Sequence, residues 1–134
     1  MKNLILTCLA IMLSIGLYAQ EIKFEAQEID YGTIEKGADG LRYFAFKNTG
    51  TAPLIITDAQ KSCGCTIPSY PKEPIMPGES GKIQVKYDTE RIGHFSKYVT
   101  ITSNSIDNSS IKLKITGQVL PAAAATPEKT KGLF

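Results

Sequence analysis

An all-β sandwich of about seven short strands is the fold class this sequence predicts. Three observations predict it. Short extended stretches separated by turn residues run from Ile22 to about Val119. Two of these stretches, Lys82–Tyr87 and Ile111–Thr116, alternate apolar and polar residues, the period of a strand with one buried face. No long amphipathic helix and no strand–helix rhythm breaks the series, which sets aside α/β architectures. The chain has 134 residues and 43% hydrophobic residues, the size and composition of one soluble domain.

The chain opens with Lys2, an apolar run from Leu4 to Leu17, and Tyr18-Ala19-Gln20-Glu21. A basic start, a short apolar core and a small residue describe a secretory signal peptide, cut after Ala19. The run is short for a membrane span, which needs about 20 apolar residues. Residues 1–19 are therefore expected to be removed, residues 20–120 to form the domain, and residues 121–134 to be a flexible tail. Cys8 leaves with the signal. The formal charge falls from +2 to +1 with the loss of Lys2, a balance that gives no argument for nucleic acid or for a membrane surface.

Each element follows from its residues. Ile22–Glu25 alternates as a first strand, and Ile29–Ile34 is a second extended piece. Glu35–Gly40 is a polar turn with two glycines. Leu41–Lys47 is a strong strand that places Phe44 and Phe46 in the core. Asn48–Thr51 is a turn, since Asn and Gly accept special backbone angles. Pro53–Thr57 is the next strand, with the proline at its start, where a missing N–H does least harm.

The spacing of Pro68, Pro71 and Pro74 rules out a helix and predicts an extended connection there. Pro77-Gly78-Glu79 fits a type II turn. In Lys82–Tyr87, Ile83, Val85 and Tyr87 face in. In Phe95–Thr102, Phe95, Val99 and Ile101 do. Asn104–Ser110 is a polar loop before the last strand, Ile111–Thr116.

The motifs fall in a recognisable order. Asp30-Tyr31-Gly32-Thr33-Ile34, Phe44–Gly50 and Pro53–Ile56 make a first half. Cys63-Gly64-Cys65-Thr66, Pro77-Gly78-Glu79, Tyr87-Asp88-Thr89 and Gly117-Gln118-Val119 make a second. This order resembles a family of secreted bacterial proteins, domain of unknown function 1573, over about Ile22 to Val119. The resemblance implies an immunoglobulin-like fold close to hydin-like and major-sperm-protein-like domains, and export. It brings no activity, substrate or catalytic residue.

Cys63-Gly64-Cys65 is the chemistry-bearing stretch. Residues two apart in a straight strand lie roughly 6.6 Å apart on one face, too far for the sulfurs to bond. Gly64 at positive φ would let the chain turn and close the pair. So short a loop stabilises by only roughly 1–2 kcal/mol in the chain-entropy account. Three readings stay open. The pair is a local disulfide or redox dithiol. It is a soft-metal site, copper(I) fitting paired thiolates, completed by His94, Met76 or a second chain. Or it is two thiols packed near the core or used between chains.

His94, the one histidine, reads as a surface turn residue, and a Cys–His nucleophile as its alternative. Met76 reads as core filling. Asp30, Asp58, Asp88 and Glu90 sit at strand ends and turns, with no pairing that forces acid–base chemistry. Lys82, Lys86, Lys112 and Lys114 read as a solvated, mildly basic face. Tyr43, Tyr70 and Tyr98 are expected at the surface. No phosphate loop, dinucleotide fingerprint or hydrolase elbow is present. The expectation is a non-enzymatic, exported interaction module with a protein partner in the cell envelope, whether periplasmic, on the outer surface or secreted, with no cofactor. A thiol redox or copper-binding protein built on Cys63 and Cys65 is the alternative.

Overall fold

Burial follows the alternation that defines the strands. The computed structural model describes residues 17–122, so most of the expected signal segment and tail fall outside the described residues. Eight strands are formed: β1 (Ile22–Phe24), β2 (Glu28–Glu35), β3 (Leu41–Asn48), β4 (Ile56–Lys61), β5 (Thr66–Ser69), β6 (Ser80–Tyr87), β7 (Gly93–Ser103) and β8 (Ser110–Leu120). They make two four-stranded sheets, in the orders β1-β3-β6-β5 and β2-β8-β7-β4. Phe44, Phe46, Ile83 and Val85 from the first sheet meet Val99, Ile101, Leu113, Ile115 and Val119 from the second in one core. All are among the expected inward residues or continue their alternation.

The first strand is divided between the sheets. β1 pairs antiparallel with β3, and after Phe24 the chain crosses to pair β2 in parallel with β8. The register of β2 shifts between Asp30 and Thr33. Gly32 takes a φ of 66° there, and the Asp30 carboxylate accepts its N–H at 2.8 Å. The bulge turns Tyr31 inward, edge-on to Phe95, and its hydroxyl donates to the Gly40 carbonyl at 2.7 Å. Pro77-Gly78 is the expected type II turn. Gly78 has a φ of 83°, and the Glu79 N–H donates to the Met76 carbonyl at 2.9 Å.

Two elements differ from expectation. The strand expected at Pro53–Thr57 starts at Ile56 and continues through the polar Asp58–Lys61. Leu54 makes a separate bridge with Ile75, and Asn104 takes both backbone groups of Ile55, so the ladder with β7 begins only at Ile56. Pairing with β7 there outweighs the low strand preference of Asp, Gln and Lys. The expected connection through Pro68 contains a further strand, β5, at the end of the first sheet. An edge is where a strand tolerates proline.

Every sheet edge carries a feature that limits self-association. β1 and β5 have three and four residues, β5 holds Pro68, and β2 and β4 are each interrupted by a register shift.

Candidate functional site: the Cys63–Cys65 turn

β4 ends the second sheet at one edge and β5 ends the first. The four residues between them, Ser62–Cys65, therefore carry the chain across the open side of the sandwich. Both ends of the turn are tied down. The Ser62 N–H donates to the Tyr98 carbonyl at 3.0 Å, and the Ser62 hydroxyl accepts the Tyr98 N–H at 3.0 Å. At the far end the Asp88 N–H donates to the Cys65 carbonyl at 2.9 Å.

Cys63 and Cys65 are joined by a disulfide, with Cα atoms 5.3 Å apart. The turn brings them together without the device expected from the sequence. Gly64 is not among the glycines at positive φ, and a Cβ placed on it would meet nothing within 4 Å. The closure comes from the crossover between sheets, which bends the backbone.

The two sulfurs differ in access. Cys65 is only 2% exposed and belongs to the core, while Cys63 is half-buried at its margin. The Cys65 N–H points at Cys63 Sγ, 3.3 Å away. Beneath both lies the fully buried Thr66. Its Oγ1 is 3.7 Å from Cys63 Sγ and 3.8 Å from Cys65 Sγ, and these sulfurs are its hydrogen-bond partners. A disulfide sulfur has no proton to give, so the hydroxyl is the donor. Thr66 was read from the sequence only as the last residue of the Cys63-Gly64-Cys65-Thr66 motif, with no role at the sulfurs. Its signal is its place directly after Cys65, at the first position of a strand whose inward residues face the core. A depression of about 200 Å³ adjoins the turn, lined by Gly64, Cys65, Ile67, Lys86, Tyr87 and Asp88.

With this geometry the sequence can be placed. Residues 22–119, β1 through nearly all of β8, match the family described as "Protein of unknown function (DUF1573)". The chain belongs to that family. The DUF1573 domain is similar to solved structures at low identity. One is a protein of unknown function from Porphyromonas gingivalis, at 15% identity and a TM-score of 0.66, covering 74% of this chain and 46% of that one. Another is the ASH/PapD-like domain 7 of human CEP192, at 10% identity and 0.64, covering 78% and 88%. A third comes from the CsuC–CsuE chaperone–tip adhesion subunit pre-assembly complex of Acinetobacter baumannii, at 13% and 0.50, covering 74% and 57%. The chain spans about half the length of the Porphyromonas protein. No curated protein matches the sequence. The shared architecture is the immunoglobulin-like sandwich expected from the strand pattern.

The DUF1573 domain does not bring the remaining candidates to the cysteines. His94 is exposed on β7, opposite Gln118, and lines a separate depression with Asp30, Thr33 and Thr116. It stands four residues along β7 from the Tyr98 anchor of the turn, about 13 Å at strand spacing. Met76 precedes β6, at the opposite end of that strand from the Cys65–Asp88 bond. Among the described residues no three His, Cys, Asp or Glu side chains gather as a metal would require, so the Cys63–Cys65–His94 set is not assembled.

Met76 is also not core filling. It is 48% exposed, because the Leu54–Ile75 bridge turns Ile75 inward and its neighbour outward.

The acids bond to nearby groups, Asp58 within β4 and Asp88 in the turn after β6. Asp88 accepts the Glu90 N–H at 3.1 Å and Arg91 Nε at 3.3 Å, and Asp58 accepts the Ala59 N–H at 2.8 Å. Glu90 pairs with Lys36 at 3.6 Å. The four lysines do not share a face: Lys82 and Lys86 lie on β6 of the first sheet, Lys112 and Lys114 on β8 of the second. Tyr43 and Tyr98 are exposed as expected. Tyr70 is not. It packs against the core and donates to the Thr57 carbonyl at 3.1 Å. Among the described residues no helix is long and apolar enough to cross a membrane.

Proposed function

We propose that this chain is an exported, non-enzymatic interaction module of the cell envelope that binds another protein along the β5 edge. The observation that carries the reading is Ile67. It is 62% exposed on the terminal strand of the first sheet, beside the depression at the disulfide turn. An edge strand offers unpaired backbone groups, and an extended partner segment adds to it by main-chain hydrogen bonds, with side-chain pockets supplying selectivity. The short length of β5 and its proline limit indiscriminate pairing and leave room for a partner shaped to this edge. The similar chain from the CsuC–CsuE complex belongs to a chaperone–subunit assembly, which agrees with an interaction role for the architecture. The leading segment, with its basic start and apolar core, supports export.

A photo-crosslinking residue at position 67, compared with one at position 112 on the other sheet, tests this in cells that make the full chain. One defined envelope protein joined from position 67 and not from 112, and lost from a position-65–69 fragment swap but not from Lys112→Ala, is the expected result. Equal joining from both positions, or none, would overturn it. The intact mass of the exported chain should begin at Gln20.

A further inference from the structure

We propose that the Cys63–Cys65 disulfide is a thiol–disulfide exchange site for a polypeptide carrying two cysteines, with Cys63 as the attacked sulfur, Cys65 as the leaving group and Thr66 as the donor that receives the leaving thiolate. This goes beyond an interaction role and does not depend on it.

Three observations carry it. The two sulfurs are unequal in access: Cys63 stands half-buried at the margin, and Cys65 is buried. An incoming thiolate therefore meets Cys63. Each sulfur faces a donor able to hold it as an anion: the Cys65 N–H for Cys63, and the Thr66 hydroxyl for either. Finally, the buried Thr66 hydroxyl has only two disulfide sulfurs as partners, and these are weak acceptors. The same hydroxyl bonds a thiolate far better, because hydrogen bonds to charged groups are the strong ones. The Thr66 donor thus interacts more strongly with a thiolate than with the disulfide, which eases opening of the bond.

The step balances as follows. A thiolate of the partner attacks Cys63 Sγ. A bond forms between the two sulfurs, the Cys63–Cys65 bond breaks, and its electron pair leaves on Cys65 Sγ, which accepts the Thr66 O–H. The partner's second thiolate then attacks the partner sulfur of that mixed disulfide. The bond to Cys63 breaks, and Cys63 leaves as a thiolate facing the Cys65 N–H. The partner is oxidised by two electrons to a disulfide and the turn is reduced by two electrons. The two protons given up by the partner thiols end on Cys63 and Cys65. A partner that arrives as a disulfide runs the same steps backward.

The test uses the mature, oxidised chain in glutathione buffers of graded ratio, with a reduced two-cysteine peptide as the second probe. Acid quenching followed by peptide mapping locates the first mixed disulfide in the unaltered protein. Glutathione is expected on Cys63. Cys65→Ala should hold a stable mixed disulfide, and Cys63→Ala should react at least about tenfold more slowly, as burial of the thiol requires. Thr66→Val keeps shape and burial but removes the donor. It should shift the reduction equilibrium at least about tenfold toward the disulfide and move the thiolate titration to higher pH, and Thr66→Ser should restore both. Glutathione found mainly on Cys65 would overturn the assignment. So would a disulfide that survives every glutathione ratio, or a Thr66→Val chain whose equilibrium and titration match the parent's.

Discussion

The side-chain amide of Asn48 donates to the backbone carbonyl of Ile75, 2.8 Å away and 27 residues on in the chain. The same amide donates to the Ala52 carbonyl at 2.9 Å, and the side-chain oxygen accepts the Gly50 N–H at 2.9 Å. Asn48 is fully buried, so one side chain satisfies the backbone where the turn after β3 meets the Leu54–Ile75 bridge. Asn48→Ala leaves the Ala52 carbonyl without a partner and takes one of two from the Ile75 carbonyl, which keeps the Leu54 N–H at 2.8 Å, and should cost about 2–3 kcal/mol. Asn48→Asp, which replaces the donor with an acceptor facing two carbonyls, should be no better. Urea unfolding checks both, as a lower midpoint at unchanged slope.

Tyr31 holds the opening of β3 in the same manner. Its hydroxyl donates to the Gly40 carbonyl, which also accepts the Tyr87 N–H at 3.0 Å. Tyr31→Phe leaves that carbonyl one partner and keeps the ring contacts, so the loss should be only about 1 kcal/mol. Burial pushes the Tyr31 phenol up to about 12. The Arg42 guanidinium, 4.2 Å from the ring centre, opposes the shift, and Asp39 adds to it. The folded chain therefore holds the proton that the unfolded chain releases near 10. The stability from this group is complete below pH 10 and is lost as pH rises toward 12. Unfolding followed across that interval should be less steep for Tyr31→Phe than for the parent. Some slope should remain, since burial also raises Tyr87.

These two residues mark where the sequence was legible. Strict alternation fixes a strand from its own residues, so β3, β6, β7 and β8 and the inward set Phe44, Phe46, Ile83, Val85, Val99 and Ile101 could be read directly. Asn48 read as a turn former by backbone preference, but its work is done by its amide on carbonyls distant in the chain. Ile75 and Met76 are adjacent apolar residues, and only the pairing with Leu54 decides which one is buried. β5 became a strand because β6 was there to pair with it. The same distance effect governs the candidate site. The Cys-Gly-Cys pair was visible, but the inequality of its sulfurs and the hydroxyl beneath them arise from a crossover between sheets.

Glycine substitutions separate two reasons for a glycine. Gly64 takes no positive φ, and a Cβ there points into open space. Gly64→Ala should change stability by no more than about 0.5 kcal/mol and leave the disulfide able to form. Gly40 lies against the Tyr87 backbone, and a Cβ there would run into the Tyr87 carbonyl, with Thr89 Cγ2 at 3.1 Å. Gly40→Ala should cost about 2 kcal/mol or more, the range of overpacking against atoms that cannot move aside. Thermal unfolding of the two variants under oxidising conditions, with a free-thiol assay on Gly64→Ala, checks both.

The disulfide itself should contribute little to stability. It closes a loop of three residues, for which the chain-entropy account gives roughly 1–2 kcal/mol. Of the two side chains only Cys65 is core, so its truncation adds about 1 kcal/mol of lost burial. Cys63→Ala/Cys65→Ala should then cost about 2–3 kcal/mol. Ile75→Ala, which removes a larger side chain from the core at the Leu54 bridge, should cost about as much or more, within the 2–5 kcal/mol usual for such truncations. Urea midpoints of the two variants make the comparison. A double cysteine variant well below Ile75→Ala in stability would make the bond a staple of the crossover. Near-equality would leave the anchors at Ser62–Tyr98 and Cys65–Asp88 as what holds the turn, and a bond that can open without unfolding the sandwich.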